Sequence, residues 1–262
     1  MGYAIYKPKG KAGEYAEWAC NLYVGCSNNC SYCYCKRGVL GHAMGMPEAK
    51  LKKCFKDEVH AEGVFTQEVK RNLEDLRASS LFFTFSSDPM IPSTRDLNIR
   101  CIDIAVSLGI KCQVLTKNAD FIYYPGMKKI LVDIDGKYRK HVAFGFSLTG
   151  CDGQEPGASK NMWRCDAMGR LKLMGFRTFA SLEPVVEPLA SLHMFKVVED
   201  RCDVFKVGLQ SGRSIGSYDR NEVKKMADGM LASGRPVYFK KSLTDYLGLN
   251  PQEPLDVFAV KE

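Results

Sequence analysis

The stretch Gly25 to Gly38, Gly-Cys-Ser-Asn-Asn-Cys-Ser-Tyr-Cys-Tyr-Cys-Lys-Arg-Gly, places Cys26, Cys30 and Cys33 on a short loop directly after a predicted strand, Asn21–Gly25. Three thiolates on such a loop can hold three irons of a [4Fe–4S] cubane and leave the fourth iron without a protein ligand, an open metal position. Zinc is the competing reading. It would want a fourth ligand, usually from a second cysteine pair or a histidine pair. His42, His60, His141 and His193 show no such pairing, and Cys35 is the thiol close enough to serve.

Downstream of the loop, short apolar runs alternate with longer helix-period segments, the pattern of repeated βα units. Beyond the first strand, five more fit at Leu81–Ser87, Lys111–Lys117, Val142–Leu148, Arg177–Glu183 and Asp203–Gln210, and Pro236–Lys240 is a candidate seventh. Between them, Thr94 stands where an N-cap would, before Leu97, Cys101, Ala105 and Leu108 on one helix face, with Gly109 at the C′ position. Asp219 and Glu222 form a capping-box pattern ahead of Val223, Met226 and Met230, and Gly234 closes that helix. Pro125-Gly126 breaks the segment after the third strand. The fold class is α/β: a partial (β/α)6 barrel of parallel strands with outer helices. One domain over residues 1–262 is expected, with an N-terminal extension 1–19, a barrel core about 20–212 and a C-terminal helix and strand about 213–262.

Strand parity locates a ligand site. In Val142–Leu148 the bulky set Phe144, Phe146 and Leu148 faces the helices, leaving Ala143, Gly145 and Ser147 as a small inward face with room for a ligand. The same split groups Thr84, Ser86 and Asp88; Gln113, Leu115 and Lys117; Ser181 and Glu183; and Lys206, Gly208 and Gln210. Polar groups thus gather at the C-terminal ends of several strands, where parallel α/β folds bind ligands.

Of 262 residues, 45% are hydrophobic and 26% charged, enough for a substantial core, and no low-complexity tract interrupts them. The N-terminus lacks the apolar region of a signal peptide and no run of 18 apolar residues occurs, so a cytoplasmic protein without a membrane span is expected. In a reducing compartment the 11 cysteines are read as metal ligands or buried thiols rather than disulfides. Cys101 and Cys112 lie on apolar faces and belong to the core. None of the thiols outside the loop has the compact spacing of a second cluster, so one cluster is expected. The net charge of +7 permits a nucleic-acid partner without demanding one. Lys128 and Lys129, Lys137, Arg139 and Lys140, and Lys36 with Arg37 are candidates for a positive rim at the open barrel end.

The C-x3-C-x-Tyr-C pattern after the first strand resembles the radical S-adenosylmethionine (SAM) superfamily. From Cys26 to about Pro188 the chain resembles its spore photoproduct lyase-like branch, which includes uncharacterised phage-associated proteins. Phe85-Ser86-Ser87-Asp88 is similar to the lyase's Cys-Thr-Ser-Asp, Thr116-Lys117 to its Thr-Lys, and Phe144-Gly145-Phe146-Ser147 with Glu155-Pro156-Gly157 to its Phe-x-Phe-Ser and Glu-Pro-Gly. The resemblance implies a [4Fe–4S] cluster on Cys26, Cys30 and Cys33 whose unique iron is chelated by SAM. Reduction by a donor such as flavodoxin or ferredoxin would yield a 5′-deoxyadenosyl radical for hydrogen abstraction. It also implies that Ser87, Asp88, Lys117 and Ser147 contact SAM, with Ser86 beside them by parity, and puts Tyr32 and Tyr34 at the two tyrosine positions flanking the third cysteine. Phe85 departs from the pattern, because the lyase has there the cysteine that returns a hydrogen atom to its product. Cys151 and Tyr34 are the alternative donors. Glu183 could bind a SAM hydroxyl or a substrate amine, or pair with Lys206; inward charges are usually paired.

The leading reading is an enzyme acting on a nucleic acid or nucleotide, the barrel mouth closed by the substrate or by a partner protein. A peptide- or small-molecule-modifying radical SAM enzyme, and a non-catalytic iron–sulfur or zinc module, are the alternatives.

Overall fold

The computed structural model describes residues 3–37 and 41–259. In chain order its strands are β1 (Ile5–Tyr6), β2 (Trp18–Cys20), β3 (Tyr23–Val24), β4 (Lys50–Leu51), β5 (Leu81–Phe83), β6 (Cys112–Thr116), β7 (Val142–Ser147), β8 (Arg177–Val185), β9 (Val204–Leu209) and β10 (Val237–Phe239). Strands β2, β5, β6, β7, β8, β9 and β10 run parallel in that order, and β1 adds an antiparallel edge beside β2. The edge strands β1 and β10 do not pair, so the sheet is an incomplete barrel, as expected, and the candidate seventh strand belongs to it. Helices over Glu58–Arg71, Arg95–Ser107, Asn161–Leu173, Pro188–Val198 and Arg220–Leu231 connect the strands.

The first barrel strand lies earlier than expected. It is β2, whose Trp18, Ala19 and Cys20 pair with Leu81, Phe82 and Phe83, whereas Tyr23–Val24 forms a separate ribbon with Lys50–Leu51. Three residues are too few to show a period, and only their burial between two neighbours makes them a strand. The caps fall as read, with one difference. Asp219 accepts from the amides of Asn221 and Glu222 at 2.8 and 3.2 Å, but the Thr94 hydroxyl donates to the Asp88 carbonyl at 2.7 Å instead of capping its helix.

The parity of β7 is as expected, and what fills the space beside it is not a ligand. Phe144, Phe146 and Leu148 join the core under the helices, together with Cys101 and Cys112. Ala143 faces an inner cluster with Tyr15, Ala19, Phe82, Phe179 and Val204. A Cβ on Gly145 would stand 2.3 Å from the Phe179 ring, so this glycine makes room for the phenylalanine of the next strand. Burial of such a side chain is worth roughly 1.5–3 kcal/mol.

The open side of the barrel is sealed by the chain's own N-terminal segment. Between β1 and β2 it swings across to β10, where the Lys240 ammonium donates to the Lys11 carbonyl at 2.8 Å and Glu14 accepts from Tyr238 Oη at 2.8 Å and the Lys241 amide at 2.9 Å. Tyr15 is thereby pushed into the interior, its ring against Phe82 at 5.1 Å. Its carbonyl accepts from Lys206 Nζ at 3.0 Å, a fully buried ammonium whose other partner is Gln113 Oε1 at 3.4 Å. No described helix is long and apolar enough to cross a membrane.

Candidate functional site

A cavity of about 560 Å³ opens at the C-terminal ends of the strands, a size suited to a cofactor-scale ligand. Cys26, Cys30, Cys33 and also Cys35 line it, with Tyr32, Tyr34, Ser86, Ser87, Asp88, Lys117, Ser147 and Glu183. Of the candidate cluster, cofactor and hydrogen-donor residues, Cys151 alone is absent from that lining, and the inward residues Ala143, Gly145, Gln113, Lys206 and Gly208 also lie outside it. Cys151 packs with Cys30, Tyr32 and Val186 instead.

The cysteine loop is seated by backbone contacts. Its amides at Cys26 and Ser31 donate to the carbonyls of Met46 (3.0 Å) and Gln154 (2.9 Å), and the Gly157 amide donates to the Asn28 carbonyl at 3.1 Å. A Cβ on Gly157 would lie 1.9 Å from the Ser27 carbonyl oxygen, so only glycine lets the two loops meet. Asp88 acts as a clasp. One of its oxygens accepts from Met90 N (2.9 Å) and Thr116 Oγ1 (2.6 Å), the other from Asn28 Nδ2 and Lys117 N (both 2.7 Å). Those four donors fill the acceptor capacity of a carboxylate, so Asp88 joins the cysteine loop to the end of β6. The Ser86 hydroxyl is likewise engaged, donating to the Tyr23 carbonyl at 2.6 Å.

Behind the loop lies a buried charged network that sequence reasoning did not assign. Glu155 accepts from the Tyr32 hydroxyl and from Arg164, and stands 3.8 Å from Lys117 Nζ. Burial pushes the Glu155 carboxyl up, but Lys117 and Arg164 outweigh it and hold the group below its ordinary value. Arg164, fully buried, also donates to the carbonyls of Ser147 (2.5 Å) and Ser159 (2.8 Å). A signal for it was present. Asn161, Arg164, Met168 and Leu171 are buried at helical spacing, so the arginine sits within an apolar stripe.

Burial raises the Cys26 thiol to about 12 and also raises Cys30, which Lys117 partly offsets. Cys33 is lowered, first by its neighbour Cys35 and then, against the effect of burial, by Lys117 and Lys36. The Tyr34 hydroxyl and Cys35 Sγ (3.7 Å) both donate to the Phe85 carbonyl. The Phe85 ring stacks on Phe82 at 4.3 Å, giving the cavity an aromatic wall.

Glu183 is paired, but with a different lysine from the one expected. Lys240 Nζ and the Tyr15 hydroxyl donate to it, each at 2.7 Å. Both lysines have inward parity, and the N-terminal segment holds Lys206 lower in the barrel. The expected rim also changes. The helix Lys137–His141 leads into the start of β7, the end opposite the cavity, and there Lys129 pairs with Asp103 while Arg139 donates to the Met174 carbonyl, each at 2.7 Å. The 118–141 connection runs from the end of β6 back to the start of β7, which charge spacing alone does not reveal. Of the expected rim residues Lys36 lines the cavity, joined there by Lys9 and Lys11.

Two buried polar atoms in the lining lack a partner, Asn28 Oδ1 and Ser87 Oγ. Buried polar groups left unpaired are costly, and such atoms mark where a ligand's polar groups belong. Among the described residues, no three His, Cys, Asp or Glu side chains converge as ligands of a single ion. Three thiols on one loop, with two orphaned polar atoms beside them in one cavity, match the donor set of a cubane that takes each thiolate on a separate iron and leaves one iron for a polar ligand.

No protein-family model and no curated protein matches the chain by sequence. Among solved structures, a cysteine-to-alanine variant of spore photoproduct lyase is similar over 90% of this chain and 79% of its own, with a TM-score of 0.65 and 17% identity. SuiB from Streptococcus suis bound to S-adenosylmethionine is similar over 72% of this chain and 47% of its own, with a TM-score of 0.49 and 15% identity. The likeness to the lyase shows that the fold is its partial parallel barrel.

Proposed function

We propose that this chain is a radical SAM enzyme of the lyase-like branch. One [4Fe–4S] cluster is held by Cys26, Cys30 and Cys33, and SAM lies among Ser87, Lys117, Ser147 and Glu183. The observation carrying this is that one cavity gathers the three loop thiols and the strand-end polar groups, two of whose neighbours are orphaned buried atoms. Cluster and SAM together supply reductive C–S cleavage and, through it, hydrogen-atom abstraction.

The protein's own groups do the rest. Asp88 and Gly157 fix the loop, Asn28 Oδ1 and Ser87 Oγ offer polar contacts, and Lys117 supplies positive charge beside the thiols. The Phe82, Phe85 and Tyr15 rings keep water from one wall. Tyr34, half exposed, and Cys151, outside the cavity lining, are the candidate hydrogen donors to the product. A flavodoxin or ferredoxin supplies the electron. The substrate is a nucleic acid or nucleotide, a reading supported by Lys9, Lys11 and Lys36 along the cavity.

Anaerobic reconstitution should give about four irons per chain, and reduction with SAM should yield 5′-deoxyadenosine. Cys30→Ala should lose both. A fully loaded cluster that makes no 5′-deoxyadenosine overturns the enzyme reading. Titration with single-stranded DNA and RNA against salt tests the substrate class, and no binding at low salt removes it.

A further inference from the structure

Four thiols line the cavity, and the cluster uses three. We propose that Cys35 is a displaceable fourth ligand, a thiolate that holds the unique iron until SAM takes its place. The proposal rests on the cluster reading above.

Cys35 is buried on the single turn Tyr34–Lys36, two residues beyond the third cluster cysteine, and lines the same cavity as Cys26, Cys30 and Cys33. Its thiol donates to Phe85 O at 3.7 Å, a contact that is weak and easily given up. The other thiols are placed elsewhere. Cys20, Cys101, Cys112, Cys165 and Cys202 belong to the main core, Cys54 is exposed, and Cys151 lies outside the cavity lining. Independent evidence that the cavity takes a second ligand comes from Asn28, 3% exposed, with Oδ1 unpartnered, and from Ser87 Oγ. An iron with no protein ligand is readily stripped, and a thiol within reach protects it while the cavity is empty of SAM.

The exchange moves no electrons. As the Fe–S bond to Cys35 forms, its thiol gives its proton to solvent. When the amino and carboxylate groups of SAM bind the iron, that bond breaks and the thiolate takes a proton back.

The test uses the full chain, anaerobically reconstituted and free of SAM, in the wild type and in Cys35→Ala. Each is treated with ferricyanide, and loss of the unique iron is followed by electron paramagnetic resonance of the three-iron product. Loss severalfold faster in Cys35→Ala, with the difference removed by added SAM, is the expected result. Equal rates from equally loaded proteins overturn the proposal. Cys35→Ser covers poor loading of the alanine variant. Its harder oxygen ligand should shift the spectrum of the SAM-free reduced cluster and leave the SAM-bound spectrum unchanged, and no shift in the SAM-free form counts against it. A wild type that binds no iron, or a Cys30→Ala variant that keeps it all, instead overturns the cluster reading and this proposal with it.

Discussion

Arg164 and Glu155 are both fully buried and paired, with Lys117 adding a second positive charge beside the carboxylate. Replacing Arg164 by Ala leaves the buried Glu155 carboxylate with only Lys117 and the Tyr32 hydroxyl behind the cysteine loop and frees the Ser147 and Ser159 carbonyls. A loss of about 3–5 kcal/mol in denaturant unfolding is expected. Retention of wild-type stability would show that Lys117 alone holds Glu155. At this scale the sequence was informative wherever chemistry sits in a compact pattern, as with Cys26, Cys30 and Cys33. Where a role depends on partners distant in the chain it was not. Asn28 carries no distinguishing mark among the polar loop residues, and the choice of Lys240 over Lys206 by Glu183 is made by where Tyr15 stands.

Two loops rather than one form the seat of the cluster site. The segment after β7 reaches the cysteine loop only because Gly157 allows it, so Gly157→Ala should unseat Ser27–Asn28. The variant should fold with near-native circular dichroism yet retain less iron after desalting than the wild type; full retention would show that the contact is dispensable. In the barrel wall, Gly145→Ala drives a methyl into the Phe179 ring and should cost roughly 1–3 kcal/mol of stability. The inward and outward faces of β7 were legible from alternation alone. Phe179 shares the inward parity of Ser181 and Glu183, so the occupant of the Gly145 gap was also readable. β2 was not, being three residues long and defined by its neighbours.

Across the whole molecule, Lys206 makes stability depend on pH. Burial lowers its ammonium from 10.5 to about 7, with the nearby charge of Lys240 adding to the effect. Between those values the unfolded chain carries a proton that the folded chain has released, so this residue makes stability rise with pH across that window and contributes no slope below it. Lys206→Met should flatten the pH 7–10 stability profile, measured by urea unfolding at each pH; an unchanged slope would show that the ammonium stays charged inside. The contacts of the sealing segment beside it span most of the chain, joining residues 224 positions apart in one case and 229 in another. During synthesis, the wall that Lys11, Glu14 and Tyr15 complete cannot be finished until β10 has left the ribosome. The first part of the barrel to be made must wait for the last, and such long loop closures are slow.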